Sequence, residues 1–434
     1  MITGLARHAL RFATRFKIES SVALLNLATV AIGFILQIVV LRLTGPSREA
    51  DSYFATAAIP QVALSIASSV VAGALMPQLS RLDRPTRIAT VWSLLGMVLL
   101  IGLPIGGAFY LTAPIWTFLV FPGFANGAAP ESVQLAALAA LASPVAIASS
   151  ILSGYLYAER RFVINETISL VTAGVLVLSA VITIPRCGVV SLGWLVLARF
   201  ALQMALIMTF LPLASWRGAG TSLRTIAEKA RALLAGAIYF KSDLLVDRYL
   251  LSLAPAGALS LVVFGQSIFS AAAGVVGQSL ASTATPTLTV AHEAGDAQGF
   301  RAVLRRNLVL ITAASVAVVL AGVALVPPIA SLLTKRDIAN DQISLRWVLI
   351  LFGGIPIGAG IGVLFANAFY AMGDTRTPTI MTVVTFTVFI ILKIVIFSSF
   401  GLYVFCGLTS LYYLGNGALL GWLLRQKMRR EFST

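Results

Sequence analysis

The sequence predicts an all-α polytopic membrane protein. It would hold about 12 transmembrane helices in two six-helix lobes, parallel pseudo-repeats around a central cavity. Three observations carry this reading. Of 434 residues, 59% are hydrophobic and only 11% charged, about half the charged share of soluble domains. The apolar residues fall in stretches of about 20, the length that crosses a bilayer core. The scarce charge is one-sided, with 31 Lys and Arg against 16 Asp and Glu and a formal net charge of +15. A soluble enzyme is excluded, because a water-facing surface needs more polar residues than these. Disorder is excluded by the mean hydropathy of +0.95. Nucleic-acid binding is disfavoured, since that would place the basic residues on a soluble domain.

The elements follow in chain order. Residues 1–20, with Arg7, Arg11, Arg15 and Lys17, read as a cytoplasmic basic tail. A full-length apolar span follows them, unlike the short core of a signal peptide. Spans are expected at 21–43, 53–76, 88–112, 133–157, 163–185 and 189–213, which form the N-lobe (21–213). A cytoplasmic linker covers 214–230. Further spans at 231–253, 258–285, 306–333, 346–371, 377–399 and 402–424 form the C-lobe (231–424), followed by a cytoplasmic basic tail at 425–434. Pro60, Pro104, Pro144, Pro327 and Pro356 lie inside spans and predict kinks, which membranes tolerate where neighbours satisfy the freed carbonyls. With both termini inside, cytoplasmic segments hold 21 of the 31 basic residues, outer segments 6 and the spans 4. That bias orients the chain with both termini in the cytoplasm.

The halves share a weak repeat. Pro144 precedes Tyr157-Ala158-Glu159-Arg160, and Pro356 precedes Tyr370-Ala371-Met372-Gly373-Asp374. Ser52-Tyr53-Phe54 and Ser260-Leu261 open runs that end at Pro77 and Pro286. An even number of spans per half makes the repeats parallel, with a site between lobes near the bilayer midplane. Loops are too short to fold as domains, and no P-loop or metal-ligand spacing occurs. No cofactor is expected, and any driving force would be Na+, H+ or the membrane potential. Two cysteines, Cys187 and Cys406, imply no disulfide framework. His8 and His292 read as solvated.

Ionisable groups inside spans mark function or partners, because burying them in lipid is costly. The candidate substrate contacts are Arg199, with Gln203 one turn later, Lys241, Arg248 and Lys393. An arginine in a low-dielectric cavity can grip a phosphate through two parallel bonds. Asp243 and Asp247 lie i,i+4 on one helix face, with Lys241 and Arg248 on another, about 130° away. Such carboxylates want a coupling ion or a cation on another helix. Glu166 is a further span acid, and pairing of Arg199 with it or with Asp243 stays open. Asp51, in the first outer turn, reads as a helix N-cap or as part of the ion-coupling or inter-lobe set.

The segments Gly277-Gln278-Ser279-Leu280 through Thr285-Pro286-Thr287-Leu288, Phe369-Tyr370-Ala371-Met372-Gly373-Asp374-Thr375-Arg376-Thr377-Pro378 and Asp51-Ser52-Tyr53-Phe54 resemble the lipid II flippase family of MurJ/MviN type. That family lies within the multidrug/oligosaccharidyl-lipid/polysaccharide exporter superfamily. The resemblance implies a flippase that moves a polyprenyl-diphosphate-linked saccharide, for polysaccharide or peptidoglycan synthesis, by alternating access. The chain looks like a divergent member, lacking the family's last two helices. Leu36 and Gln37 follow Gly33-Phe34, Gln61-Val62-Ala63 follows Pro60, and Phe264-Gly265-Gln266 stands at the helix-eight motif, all places where the family carries arginines. The resemblance then implies that Arg199, Lys241, Arg248 and Lys393 supply the charge, with Gln203 and Gln266 beside them. The substrate and membrane lipids are the partners, together with glycosyltransferases or polymerases of the same pathway. The alternative on the same fold is a cation-coupled multidrug-type exporter, and a non-transporting scaffold or a membrane glycosyltransferase is less consistent with dispersed span charges and short loops.

Overall fold

The computed structural model describes residues 2–125, 129–213, 220–333 and 344–432, which are helical throughout and contain no strand. Two compact units form, Met1–Leu253 and Ala254–Thr434. Nine helices among the described residues are long and apolar enough to cross a membrane. Their outward faces carry exposed Leu100, Ile105, Leu111, Leu178 and Ile182. Large apolar side chains left outside a folded unit are the mark of a surface solvated by lipid.

In the first unit, α1 (Ile2–Thr44) packs along α8 (Phe162–Cys187). The expected tail is thus helical from its second residue. Short helices α2 (Arg48–Thr56) and α3 (Ala58–Val70) run through a π-helical turn, Val71–Leu75, into α4 (Met76–Leu79). The side chain of Ser47, not Asp51, caps α2, accepting from Ala50 N at 3.3 Å. Asp51 therefore sits inside the first turn, fully buried. Helix α5 (Arg84–Leu111) starts at the Asp83 cap, which accepts from Thr86 N, with Pro at the start, where a missing N–H costs nothing. A short α6 (Ala113–Val120) and a 3-10 turn, Pro122–Phe124, occupy what the sequence suggested was loop.

Helix α7 (Glu131–Ala158) is the axis of this unit: 83% of its most apolar window is buried, and it contacts α3, α5 and α9 (Val190–Met208). It is rich in Ala and Ser, and such small side chains let helices approach closely where apolar packing alone gives no preference over lipid. Gly154 shows the tightness: a Cβ there would lie 2.7 Å from Val71 of the π turn. Helix α10 (Gly220–Ser252) incorporates 220–230, most of the linker expected at 214–230, and it packs on α3 and the π turn. The seventh span, grouped by sequence with the second half, thus lies with the first compact unit. Residues 214–219 are outside the described residues.

The second unit holds α11 (Ala258–Glu293), α12 (Ala297–Ala324), α13 (Val326–Leu333), α14 (Leu345–Phe352), α15 (Gly354–Ala371) and α16 (Arg376–Glu431). Spans nine and ten are each broken in two, before Pro327-Pro328 and before Pro356, whose rings cannot continue the preceding turn. Helix α15 is this unit's counterpart of α7, with 56% of its window buried between α11 and α16. At 1.5 Å per residue, the 56 residues of α16 would extend about 84 Å, far more than one bilayer crossing. Gly401 divides it, with φ 71° and ψ −161°, so the two last expected spans are joined by a single residue. That conformation is essentially reserved for glycine. Gly401→Ala is expected to lower stability by about 1–3 kcal/mol, read as a lower melting temperature in detergent. An unchanged melting curve would mean that the fold at Gly401 relaxes without cost.

Candidate functional site

Helices α1, α3, α7, α8 and α9 and the π turn of the first unit enclose a cavity of about 540 Å³. It lies amid apolar helices, yet many of its lining residues are polar. Ser68, Ser149, Ser150, Ser153 and Ser169 line it together with Asn26, Tyr157, Asn165, Glu166, Arg199 and Gln203. The π turn contributes Val71 and Ala72, and such local widenings of a helix recur at functional sites. Ser149, Ser153 and Tyr157 stand i, i+4, i+8 on α7, so one face of the most buried helix is hydroxylated.

Arg199 is half-way along α9 and partly buried, with Gln203 one turn on, so both reach the cavity. Its guanidinium carbon is 5.7 Å from the Phe200 ring. The buried Nε has no hydrogen-bond partner, and among the described residues no carboxylate forms an ion pair with Arg199. An unmet N–H on a desolvated cation costs more than on a neutral group, and it is met when an anion arrives. In the same cavity, Glu166 is 6% exposed and Asn165 is 4% exposed. Oε1 of Glu166 accepts from the Tyr157 hydroxyl at 2.6 Å and from Asn165 Nδ2 at 3.1 Å. The same amide donates to the Tyr157 oxygen at 3.0 Å. Asn165 Oδ1 is buried with no donor on it.

Toward the end of this unit that carries Arg81, Arg84 and Arg87, a second cavity of about 440 Å³ adjoins the first. Met76, Tyr157 and Phe162 line both, and the Tyr157 and Phe162 rings stack at 5.6 Å. Arg87 is more than a topology marker here. It pairs with Glu159 at 2.5 Å and donates to the carbonyls of Leu79 and Leu82, fixing the turn between α4 and α5.

The other expected site residues are placed elsewhere. Lys241 is exposed on α10 and Asp243 half-buried. Asp247 and Arg248 are 1% and 4% exposed, and Asp243 and Asp247 both lie in electrostatic range of Arg248. The wheel that set Arg248 apart from the two acids ignored the reach of its side chain. Nearby, Arg48 Nη1 donates to Ser252 O at 2.9 Å and Gly123 N to Ser252 Oγ at 3.2 Å, tying the end of α10 to the first unit's loops. In the second unit, Gln266 is half-buried on α11. Lys393 is 1% exposed, with its ammonium 4.1 Å from the Phe389 ring centre and 5.1 Å from that of Phe405. Phe405 follows the Gly401 break, so the fold of α16 brings an aromatic enclosure onto this cation, and cation–π attraction offsets part of its desolvation. The expected cavity role of Lys393 gives way to an enclosed one.

At the α15–α16 turn, Asp374 accepts from Thr377 N at 3.0 Å, Thr377 Oγ1 at 2.8 Å and Lys427 Nζ at 3.1 Å. Lys427 also reaches Glu431 at 3.2 Å. His292 lies 3.8 Å from Glu431 and edge-on to Phe432, where the sequence suggested a solvated side chain. Burial pushes the Asp374 carboxyl up, but the Thr377 bonds and Lys427 outweigh it and hold it below the ordinary carboxylate value. A lowered value in the folded state stabilises the fold above the unfolded carboxyl's titration, near about pH 4, and that contribution is lost as pH falls through the lower folded value. Asp374→Asn is expected to flatten the acid limb of a melting-temperature profile between about pH 5 and 3. An unaltered acid limb would remove Asp374 as its source.

Asn165, Tyr157 and the serines were not singled out from sequence. The signal was present as the polar pair Asn165-Glu166 in an apolar run and as the four-residue spacing on α7. Only packing showed that the two faces meet Arg199.

Comparison with known proteins bears on the whole fold. The family model for "Lipid II flippase MurJ" matches residues 47–433. Among solved structures, a lipid II flippase MurJ in an inward closed conformation superposes with TM-score 0.80 at 14% identity, covering 93% of this chain and 87% of that one. An inward-facing multidrug resistance MATE family transporter gives TM-score 0.77 at 12% identity, covering 94% and 96%. A MOP superfamily transporter from Pyrococcus furiosus, described as having a binding pocket of reverse polarity, gives TM-score 0.53 at 16% identity, covering 96% and 94%. No curated protein sequence matches.

Proposed function

The chain belongs to the lipid II flippase MurJ family, and from that premise we propose that it flips a polyprenyl-diphosphate-linked saccharide from the inner to the outer leaflet of the bacterial inner membrane. It is a multi-pass membrane protein and a transporter, not a catalyst of a chemical reaction. Alternating access would do the work, with the basic loops facing the cytoplasm.

The observation that carries the reading is Arg199 Nε, buried and unpaired in a hydroxyl-lined cavity of the first unit. A diphosphate supplies the acceptors this group lacks, and a charged hydrogen bond in a low-dielectric site is strong and directional. Saccharide hydroxyls suit the serine wall, since each donates and accepts. The family's arginine positions are non-basic here, so Arg199 on α9 is the cation we assign to the diphosphate. A cationic drug would instead want a lining without a buried guanidinium. An inside-negative potential helps move a diphosphate outward, by about 2.3 kcal/mol per charge per 100 mV.

The test is reconstitution of the purified protein into liposomes with a fluorescent undecaprenyl-diphosphate saccharide, scored by access of an external quencher. Flipping above protein-free vesicles, competed by unlabelled diphosphate lipid, supports the proposal. Uptake of cationic dyes against a Na+ or H+ gradient, with no lipid flipping, would replace it with the multidrug exporter.

A further inference from the structure

The cavity of the first unit is bipolar. Arg199 offers an unmet donor on one wall. On another, Glu166 and Asn165 offer acceptors with no cation among the described residues to meet them. Glu166 takes both of its hydrogen bonds on Oε1, and both come from neutral groups, Tyr157 and Asn165. Asn165 Oδ1 is buried without a donor. No ion pair links Arg199 to Glu166, although both line the same 540 Å³ space. A carboxylate buried in apolar helices without a cation is costly. Two opposite charges in one cavity that ignore each other are each set for a ligand group.

We propose that the Glu166 wall is an ammonium subsite, and that the substrate head group carries a free amino group besides its diphosphate. This rests on the proposed function and adds the chemical class of the saccharide portion. An ammonium has three N–H donors and one positive charge. It can give one bond to the Glu166 carboxylate and others to the Ser153 and Ser169 hydroxyls that line the same cavity. A bare metal ion fits less well. It draws about six oxygens onto one point, whereas Asn165 turns its Nδ2, not its Oδ1, toward Glu166 and Tyr157. Tyr157 holds the carboxylate in place and also lines the adjoining cavity on the basic side, so the subsite lies next to the entry expected for a head group from the cytoplasm.

The experiment measures binding of two synthetic probes to the purified full-length protein in nanodiscs, undecaprenyl-diphosphate glucosamine and its N-acetyl counterpart. Wild type is expected to prefer the free amine by about tenfold, the scale of one charge-assisted hydrogen bond. Glu166→Gln keeps the acceptor for Tyr157 but removes the charge, and should cut the preference, read as the ratio of the two affinities, to about twofold or less. Glu166→Asp restores part of it, which distinguishes charge from folding damage. Arg199→Ala should weaken both probes equally and leave the ratio intact. Equal wild-type affinity for the two probes overturns the ammonium subsite. So does thermal stabilisation by Na+ that Glu166→Gln abolishes without any change in the probe ratio, which would assign the site to an inorganic cation. If Arg199→Ala weakens neither probe, the diphosphate reading fails instead, and the Glu166 comparison still stands on its own ratio.

Discussion

Replacing Arg199 with Ala lowers flipping of a diphosphate-linked saccharide by about 30- to 100-fold, the loss of about 2–3 kcal/mol of charge-assisted hydrogen bonding in a desolvated site. The protein itself is not destabilised, and this is the sharper half of the expectation. Arg199 carries an unmet Nε–H and no ion pair among the described residues, so removing it leaves no carboxylate stranded. Breaking a buried pair is what costs several kcal/mol, while removing an uncompensated charge is neutral or favourable. Arg199→Met, which keeps the apolar stem over Phe200, should therefore melt at or above the wild-type temperature while losing transport. Arg199→Lys keeps the charge but not the planar fork and should fall between. A large drop in stability with Arg199→Met would show that the arginine is a packing element. Wild-type flipping by the Ala variant would remove it from the substrate path.

Gly358→Leu is expected to destabilise the second unit by about 3 kcal/mol or more, the scale of severe overpacking. Helix α15 crosses the later half of α16 at this residue. A Cβ there would collide with the backbone carbonyl carbon of Tyr413 and come within 2.5 Å of Leu414 N. Backbone cannot swing aside as a side chain does, so the helices must separate, and every contact along the crossing weakens. Gly354, one turn earlier, shows the same seam, since its N donates to Ser410 Oγ at 3.1 Å and Ser410 in turn donates to Leu351 O. Gly415 is the control, because a Cβ there meets nothing within 4 Å, and Gly415→Ala should leave the melting temperature within about 1–2 °C. Comparable losses from both variants would mean that glycine matters here for backbone freedom and not for the close crossing.

Much of the fold was legible because hydropathy and charge bias are local and additive. Twenty apolar residues need a bilayer whatever surrounds them, and Lys or Arg at a span edge biases orientation without any partner. Pro356, at the break before α15, and the break expected between the last two spans were also local signals. Less was legible of the site. Of the charged residues offered as substrate contacts, Arg199 lines the first unit's cavity, and Glu166, noted only as a partner for it, lines the same cavity in a cluster with Tyr157 and Asn165. Lys393, the span charge hardest to explain in sequence, is closed between two phenylalanines. Phe389 is one turn away in sequence and was visible, but Phe405 arrives only because Gly401 folds α16 back.

The sequence by itself determined a polytopic helical membrane protein, its family resemblance and the inventory of its span charges. The tertiary structure alone decided which charges meet a cavity, which are enclosed, and that α10 packs with the first unit. The division has one physical reason. Transfer to lipid is a property of each segment, so it sums along the chain. A binding site is a coincidence of faces from helices far apart in sequence, and the rotation and register of α1, α3, α7, α8 and α9 are set by small-residue packing that no single segment encodes.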